Sequence, residues 1–258
     1  MQKPIIGMVH LAALPGTPYA EPLSRGEILE RALRDRDALL EAGFDAVSIS
    51  NEGDRPYVTE VDRATVALIT WLVTEIARDV DVPFGCGVML DPWASLAVAR
   101  ATGARFIRVS YGTEAGCFGL VSHAPGEILR YRAQIDADGI GLLAGYSAHF
   151  STSLDTRPLA EIAQTYTALH APEAIQVFGP GTGTPPALDA VAAVRDAVPG
   201  VPVLVASGAT ADTVPAVLGV ADGAIVGTAL KRDGYIHNPI EPQRAREFME
   251  RVREVRSS

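Results

Sequence analysis

Five side chains able to move protons each follow a short apolar run in this chain: His10, Glu52, Asp54, Asp91 and His149. Carboxylates and imidazoles placed in this way suit general acid–base catalysis. Each also has a plainer reading. Glu52 and Asp54 flank Gly53 in a turn, where acidic residues are common for local reasons. Asp91, followed by Pro92, has the form of a helix N-cap with proline at the first helical position. His10 and His149 could bond backbone at a loop mouth, and His123 reads as a loop residue. Arg108 lies inside the apolar run FIRVS, where an unpaired charge is costly, so it is expected to meet a carboxylate or a substrate anion.

A second group of residues points to an anion. VPVLVASGAT (201–210) and ADGAIVGTALKRDG (221–234) are short apolar runs, each ending in a glycine turn. Backbone N–H groups at Ser207-Gly208 and Gly227-Thr228, with the start of a short following helix, can converge on one phosphate. Glycine permits that approach because it has no Cβ. The stretch GPGTG adds Gly181, Thr182 and Gly183 to the expected ligand contacts, and Asn51 joins Arg108 among them. Lys231, beside the last turn, is expected to pair with the anion. Lys3 and Lys231 are the only lysines, and no candidate strand contains one. That argues against a Schiff-base aldolase, which needs a lysine in the site. No cofactor is called for. A divalent metal is left open at His10, Glu52, Asp54, Asp91 and His149, although no tight ligand motif supports it.

The elements that must hold these residues alternate. Apolar runs at 4–9, 46–49, 84–89, 106–109, 141–145, 174–178, 203–206 and 223–226 read as strands buried on both faces. Amphipathic segments at 24–42, 59–79, 92–101, 126–136, 158–169, 186–198, 212–218 and 241–256 read as helices. The junctions AGFDAV, TGARFI, ADGIGLL and VADGAIV repeat one helix–glycine–strand pattern. Eight β–α units in series predict an α/β fold, a (β/α)₈ TIM barrel of the phosphate-binding type, as one domain over 1–258. In such a barrel the loops after the strands carry the chemistry.

Composition narrows the partners. A net charge of −9 argues against nucleic acid or an anionic membrane, yet leaves room for a small phosphorylated metabolite. No apolar run is long enough for a membrane-spanning helix, and the opening residues lack a signal-peptide layout. With Cys86 and Cys117 read as reduced thiols, the expected location is the cytoplasm. Exposed helix faces leave a homo-oligomer open.

Several motifs resemble those of the BtpA/SgcQ family. They are GMVHLAALPGTP (7–18), NEGD (51–54), TGARFIRV (102–109), GPGTGTPP (179–186) and ADGAIVGTALKRDG with Asn238-Pro239. The resemblance spans nearly the whole chain and implies a phosphate-binding TIM barrel. It also implies an association with photosystem I biogenesis or, in other relatives, with sugar-utilisation operons. Met89-Leu90-Asp91 stands where the family usually has arginine-asparagine-aspartate, and Ala148-His149 where it has lysine-histidine. Three readings follow. The first is an isomerase, epimerase or lyase acting on a phosphorylated sugar or ribosyl phosphate. The second is glycosidic-bond chemistry at an anomeric carbon, for which paired carboxylates are suited. The third is a non-catalytic assembly factor. The enzyme readings are preferred because assembly factors rarely need convergent polar residues around an anion cradle.

Overall fold

Local backbone devices set the ends of the helices. Ser24 and Glu27 form a reciprocal capping box at the start of helix α1 (Arg25–Ala42), and Gly43 ends it in the left-handed region at φ 87°. Acidic residues in the following junctions then pin the barrel's lower rim. Asp45 accepts from the backbone N–H of Ile5 at 2.7 Å, Glu173 from Leu142 at 2.6 Å and Asp222 from Val203 at 2.9 Å. These carboxylates satisfy strand-end donors that would otherwise be orphaned.

The structure, a computed structural model, describes residues 3–146 and 150–257. The order is β1 (Ile5–His10), α1, β2 (Ala46–Ser50), α2 (Arg63–Ala77), β3 (Phe84–Gly87), α3 (Pro92–Thr102) and β4 (Phe106–Ser110). A hairpin follows, β5 (Gly112–Gly116) and β6 (Gly119–His123), then α4 (Pro125–Gln134), β7 (Gly141–Gly145), β8 (Ser151–Ser153) and α5 (Leu159–His170). The chain ends with β9 (Ala174–Val177), α6 (Leu188–Ala197), β10 (Val203–Val205), α7 (Val214–Val220), β11 (Gly223–Val226), two single 3₁₀ turns and α8 (Pro242–Ser257). Eight parallel strands close in the order β1-β11-β10-β9-β7-β4-β3-β2. Closure is made by β1, which aligns Ile6 with both Ala46 of β2 and Ile225 of β11. The protein is a (β/α)₈ TIM barrel.

Two apolar layers hold it. Outward-facing Val9, Val47, Ile107, Ile175 and Val205 pack against helix residues such as Ile28, Leu72 and Phe248. Inward-facing Ile6, Phe106, Leu143, Leu204 and Ile225 fill the barrel. Higher in the barrel the inward positions turn polar, with Ser48, Arg108 and Gln176 bordering the mouth. Glycine makes room for two inner rings. A Cβ on Gly85 would lie 2.2 Å from Phe106, and one on Gly145 would lie 2.3 Å from Phe178.

One difference from the sequence reading alters the mouth. The glycine-rich stretch after β4, expected as loop, forms the β5–β6 hairpin, and β8 from the loop after β7 pairs with β5. Glycines in GTEAGCFGLVSH mask any apolar alternation, and β8 comes from a distant loop, so local pattern does not reveal the small sheet.

Candidate active site at the barrel mouth

A cavity of about 850 Å³ opens at the C-terminal ends of the barrel strands. The turns after β10 and β11 form one wall. Among the described residues, the backbone N–H groups of Gly208, Ala209, Thr228 and Ala229 meet no protein acceptor, and all four residues line the cavity. Gly208 stands at φ 71°, and a Cβ there would lie 2.1 Å from the backbone nitrogen of Pro185. The turn therefore requires glycine on both conformational and steric grounds. Thr182 and Gly183 also border this wall, with Gly183 against the Thr228 side chain.

Opposite β11 in the barrel circuit lies β4, which supplies Arg108. Its Nε donates to Gln176 Oε1 at 2.6 Å, Nη1 lies 3.6 Å from Met8 Sδ, and Cζ stands 5.6 Å from the centre of the Phe178 ring. Among the described residues Arg108 has no ion-pair partner. Burial pulls the guanidinium down to about 10, and the charge of Glu52 opposes that shift.

Glu52 enters from the turn after β2. Burial raises its pKa, while a hydrogen bond from Tyr57 (3.0 Å to Oε1) and the Arg108 charge pull it down. His10, at the end of β1, is held well below the ordinary histidine range by burial first, then by the charges of Lys231 and Arg108. Its ring rests on Gly227, where a Cβ would stand 2.8 Å from Cε1. Ser50 Oγ and Ser110 Oγ are buried without hydrogen-bond partners among the described residues, and both residues face the cavity beside His10. Buried polar groups are nearly always satisfied, so such a cluster in a cavity marks a place for ligand or water.

Other expected site residues serve the framework instead. Asp54 accepts from Leu14 N–H (2.6 Å), the Thr17 hydroxyl (3.1 Å) and Asn51 Nδ2 (2.8 Å), which spends its carboxylate on the β1 loop. Asn51 also accepts from Met89 N–H at 2.8 Å, so it joins the loops after β2 and β3. A Cβ on Gly53 would lie 2.3 Å from Ala13 N. In the NEGD turn, then, three residues position the fourth, Glu52. Asp91 borders the cavity, but its two oxygens accept from Ala94 N–H (2.9 Å) and Val61 N–H (3.0 Å).

Lys231 requires a correction as well. It is buried and paired with Asp35 of α1, whose other oxygen accepts from Ile240 N–H at 2.7 Å. Its ammonium is thereby withdrawn from the cavity wall. The Ser207 hydroxyl is likewise committed, donating to Thr184 O (2.9 Å) and accepting from Gly179 N–H (2.8 Å). Gly181 does not line the cavity. His149 lies outside the described residues.

The sequence reading missed Tyr57, Gln176, Phe178 and Arg244. Gln176 carried the same signal as Arg108, a polar side chain within an apolar strand. Tyr57 has no comparable mark, and neither does Arg244, which reaches the cavity rim from α8 and pairs there with Glu241 at 2.8 Å. His123 is more than a loop residue, since its ring nitrogens contact Ser110 O and Leu90 O, both at 3.1 Å. Phe118, at the hairpin tip, packs on Tyr57 with ring centres 5.5 Å apart and so covers the Glu52 side of the mouth. Among the described residues no three His, Cys, Asp or Glu side chains converge to hold a metal ion. No helix among the described residues is long and apolar enough to cross a membrane.

Fold and mouth define a TIM barrel with unpartnered backbone donors after its last two strands and with His10 and Glu52 lining the same cavity. The chain belongs to the BtpA family, whose model matches residues 1–254. It is 34% identical over 257 residues to the sgc region protein SgcQ of Escherichia coli, covering 99% of this chain and 96% of that one. It is 33% identical over 256 residues to the photosystem I biogenesis protein BtpA of Synechocystis, covering 98% and 88%. Among solved structures, (S)-3-O-geranylgeranylglyceryl phosphate synthase from Thermoplasma acidophilum, in complex with sn-glycerol-1-phosphate, shares the fold. Its TM-score is 0.64 at 16% identity, over 98% of this chain and 94% of that one.

Proposed function

We propose that the protein is an enzyme that moves a proton on a small phosphorylated metabolite, a sugar phosphate or ribosyl phosphate, in an isomerase, epimerase or lyase type of reaction. The observation that carries this reading is the pairing, in one cavity, of four unpartnered backbone N–H groups with Glu52. Gly208, Ala209, Thr228 and Ala229 offer an uncharged cradle for the phosphate. Burial raises the Glu52 pKa and Tyr57 tethers its carboxylate, which suits a group that gives and takes a proton. His10, kept neutral, can polarise or relay to a ligand oxygen. A structure of the same fold was solved with a phosphate ester, sn-glycerol-1-phosphate, which fits this reading.

The glycosidic alternative is less favoured, because Asp54 and Asp91, the carboxylates that the sequence pairs with Glu52, spend oxygens on backbone donors. An assembly role has one specific support, the name of the Synechocystis relative.

The test is solvent exchange. Phosphorylated sugars are incubated with the protein in D₂O and followed by NMR. Deuterium entry at carbon that disappears in Glu52→Gln supports the reading. Binding of phosphate esters without exchange contradicts the proton-transfer chemistry, and absence of any binding favours the assembly role.

A further inference from the structure

Among the described residues, none supplies an anionic partner to the fork of Arg108. Its guanidinium sits among inward-facing residues, reaching Met8 on β1 and Gln176 on β9 from β4. Three contacts fix its plane. Gln176 holds Nε, and its own amide is anchored by donation to Leu143 O. The Phe178 ring packs alongside in a space that exists because residue 145 is glycine. Met8 Sδ, a weak acceptor, meets Nη1. A cation inside a barrel is normally balanced by a paired carboxylate, and among the described residues Arg108, half-buried against the cavity, has none within ion-pair distance. Glu52 acts on it only through the field. A guanidinium has five N–H donors, so most of the fork faces the cavity unused.

We infer that Arg108 receives a carboxylate of the substrate, so that the ligand is a phosphorylated hydroxy or keto acid lying across the mouth. This rests on the phosphate reading above and adds the chemistry of the other end of the molecule. Strand order places the two ends apart, since β4 is diametrically opposite β11. Planar, oriented guanidinium matches planar carboxylate through two parallel hydrogen bonds. One charge balances one charge, whereas a second phosphate dianion would be left in excess beside Glu52.

The experiment is calorimetric titration at neutral pH with three probes: 3-phosphoglycerate, glycerol 3-phosphate and a propane bisphosphate. Wild-type protein is expected to bind 3-phosphoglycerate at least about tenfold more tightly than the other two, the scale of a charge-assisted bidentate contact. In Arg108→Met that preference should fall to within about twofold, because the lost contact is one that only the carboxylate-bearing probe uses. Equal wild-type affinities for 3-phosphoglycerate and glycerol 3-phosphate overturn the inference, and so does preference for the bisphosphate. Preference for 3-phosphoglycerate that survives in Arg108→Met overturns it as well. The wild-type comparison stands even if that variant fails to fold. Gly208→Val serves as the separate control: undiminished glycerol 3-phosphate binding there overturns the phosphate cradle itself.

Discussion

Glu52 and Asp54 lie two positions apart in one turn, yet their surroundings give them opposite duties. Asp54 is held by donors from Leu14, Thr17 and Asn51, whereas Glu52 faces the cavity with Tyr57 as its tether. Burial raises the Glu52 pKa. A folded-state pKa above the unfolded value contributes stability below the unfolded pKa, and that contribution is lost as pH rises through the folded pKa. Ionised Glu52 therefore weakens the fold at neutral pH. Glu52→Gln is expected to lower turnover by at least about 10²-fold and to raise Tm at pH 7. The Tm advantage should vanish in acid, where the wild-type carboxyl is also neutral; a gain independent of pH would contradict the assignment. The Tyr57 bond pulls the same pKa down, so Tyr57→Phe should move the acid limb of the kcat/KM profile to higher pH. At this scale the sequence marked His10, Glu52 and Arg108 by their place at or within strands. It could not separate Asp54, Asp91 or Lys231 from them, because a charged side chain reads the same whether it faces a cavity or bonds the framework.

At the scale of elements, the apolar runs and glycine stops made all eight barrel strands legible, since burial on both faces leaves a continuous signature. The hairpin was hidden by its glycines and by a pairing that joins two separate loops. The Asp35–Lys231 pair was hidden too, as its partners are 196 positions apart. That pair fastens α1 to the segment leading into α8, with Asp35 also holding Ile240. Breaking a buried ion pair from one side costs about 3–5 kcal/mol, so Asp35→Asn should lower the urea midpoint accordingly. Phosphate-ester affinity of the folded variant should be unchanged. Lost affinity at unaltered stability would instead return Lys231 to the ligand. The hairpin bears on access: Phe118→Ala removes its contact with Tyr57 and is expected to raise KM more than it lowers kcat in steady-state assays. A selective fall in kcat would place the hairpin in the chemistry.

For the molecule as a whole, the closed barrel holds the last two strand ends and the β2 turn around one space, and in the proposed reading a phosphate held by the strand ends leaves its carbon chain within that space. A net charge of −9 does not oppose this, because backbone donors act locally where the global field is weak. The central claim is that the cradle binds phosphate, and amide NMR tests it most directly. On titration of the ¹⁵N-labelled protein with glycerol 3-phosphate, the N–H resonances of Gly208, Ala209, Thr228 and Ala229 should move downfield together and saturate. If those four stay fixed while the ligand saturates elsewhere, or if nothing moves at all, the account is contradicted.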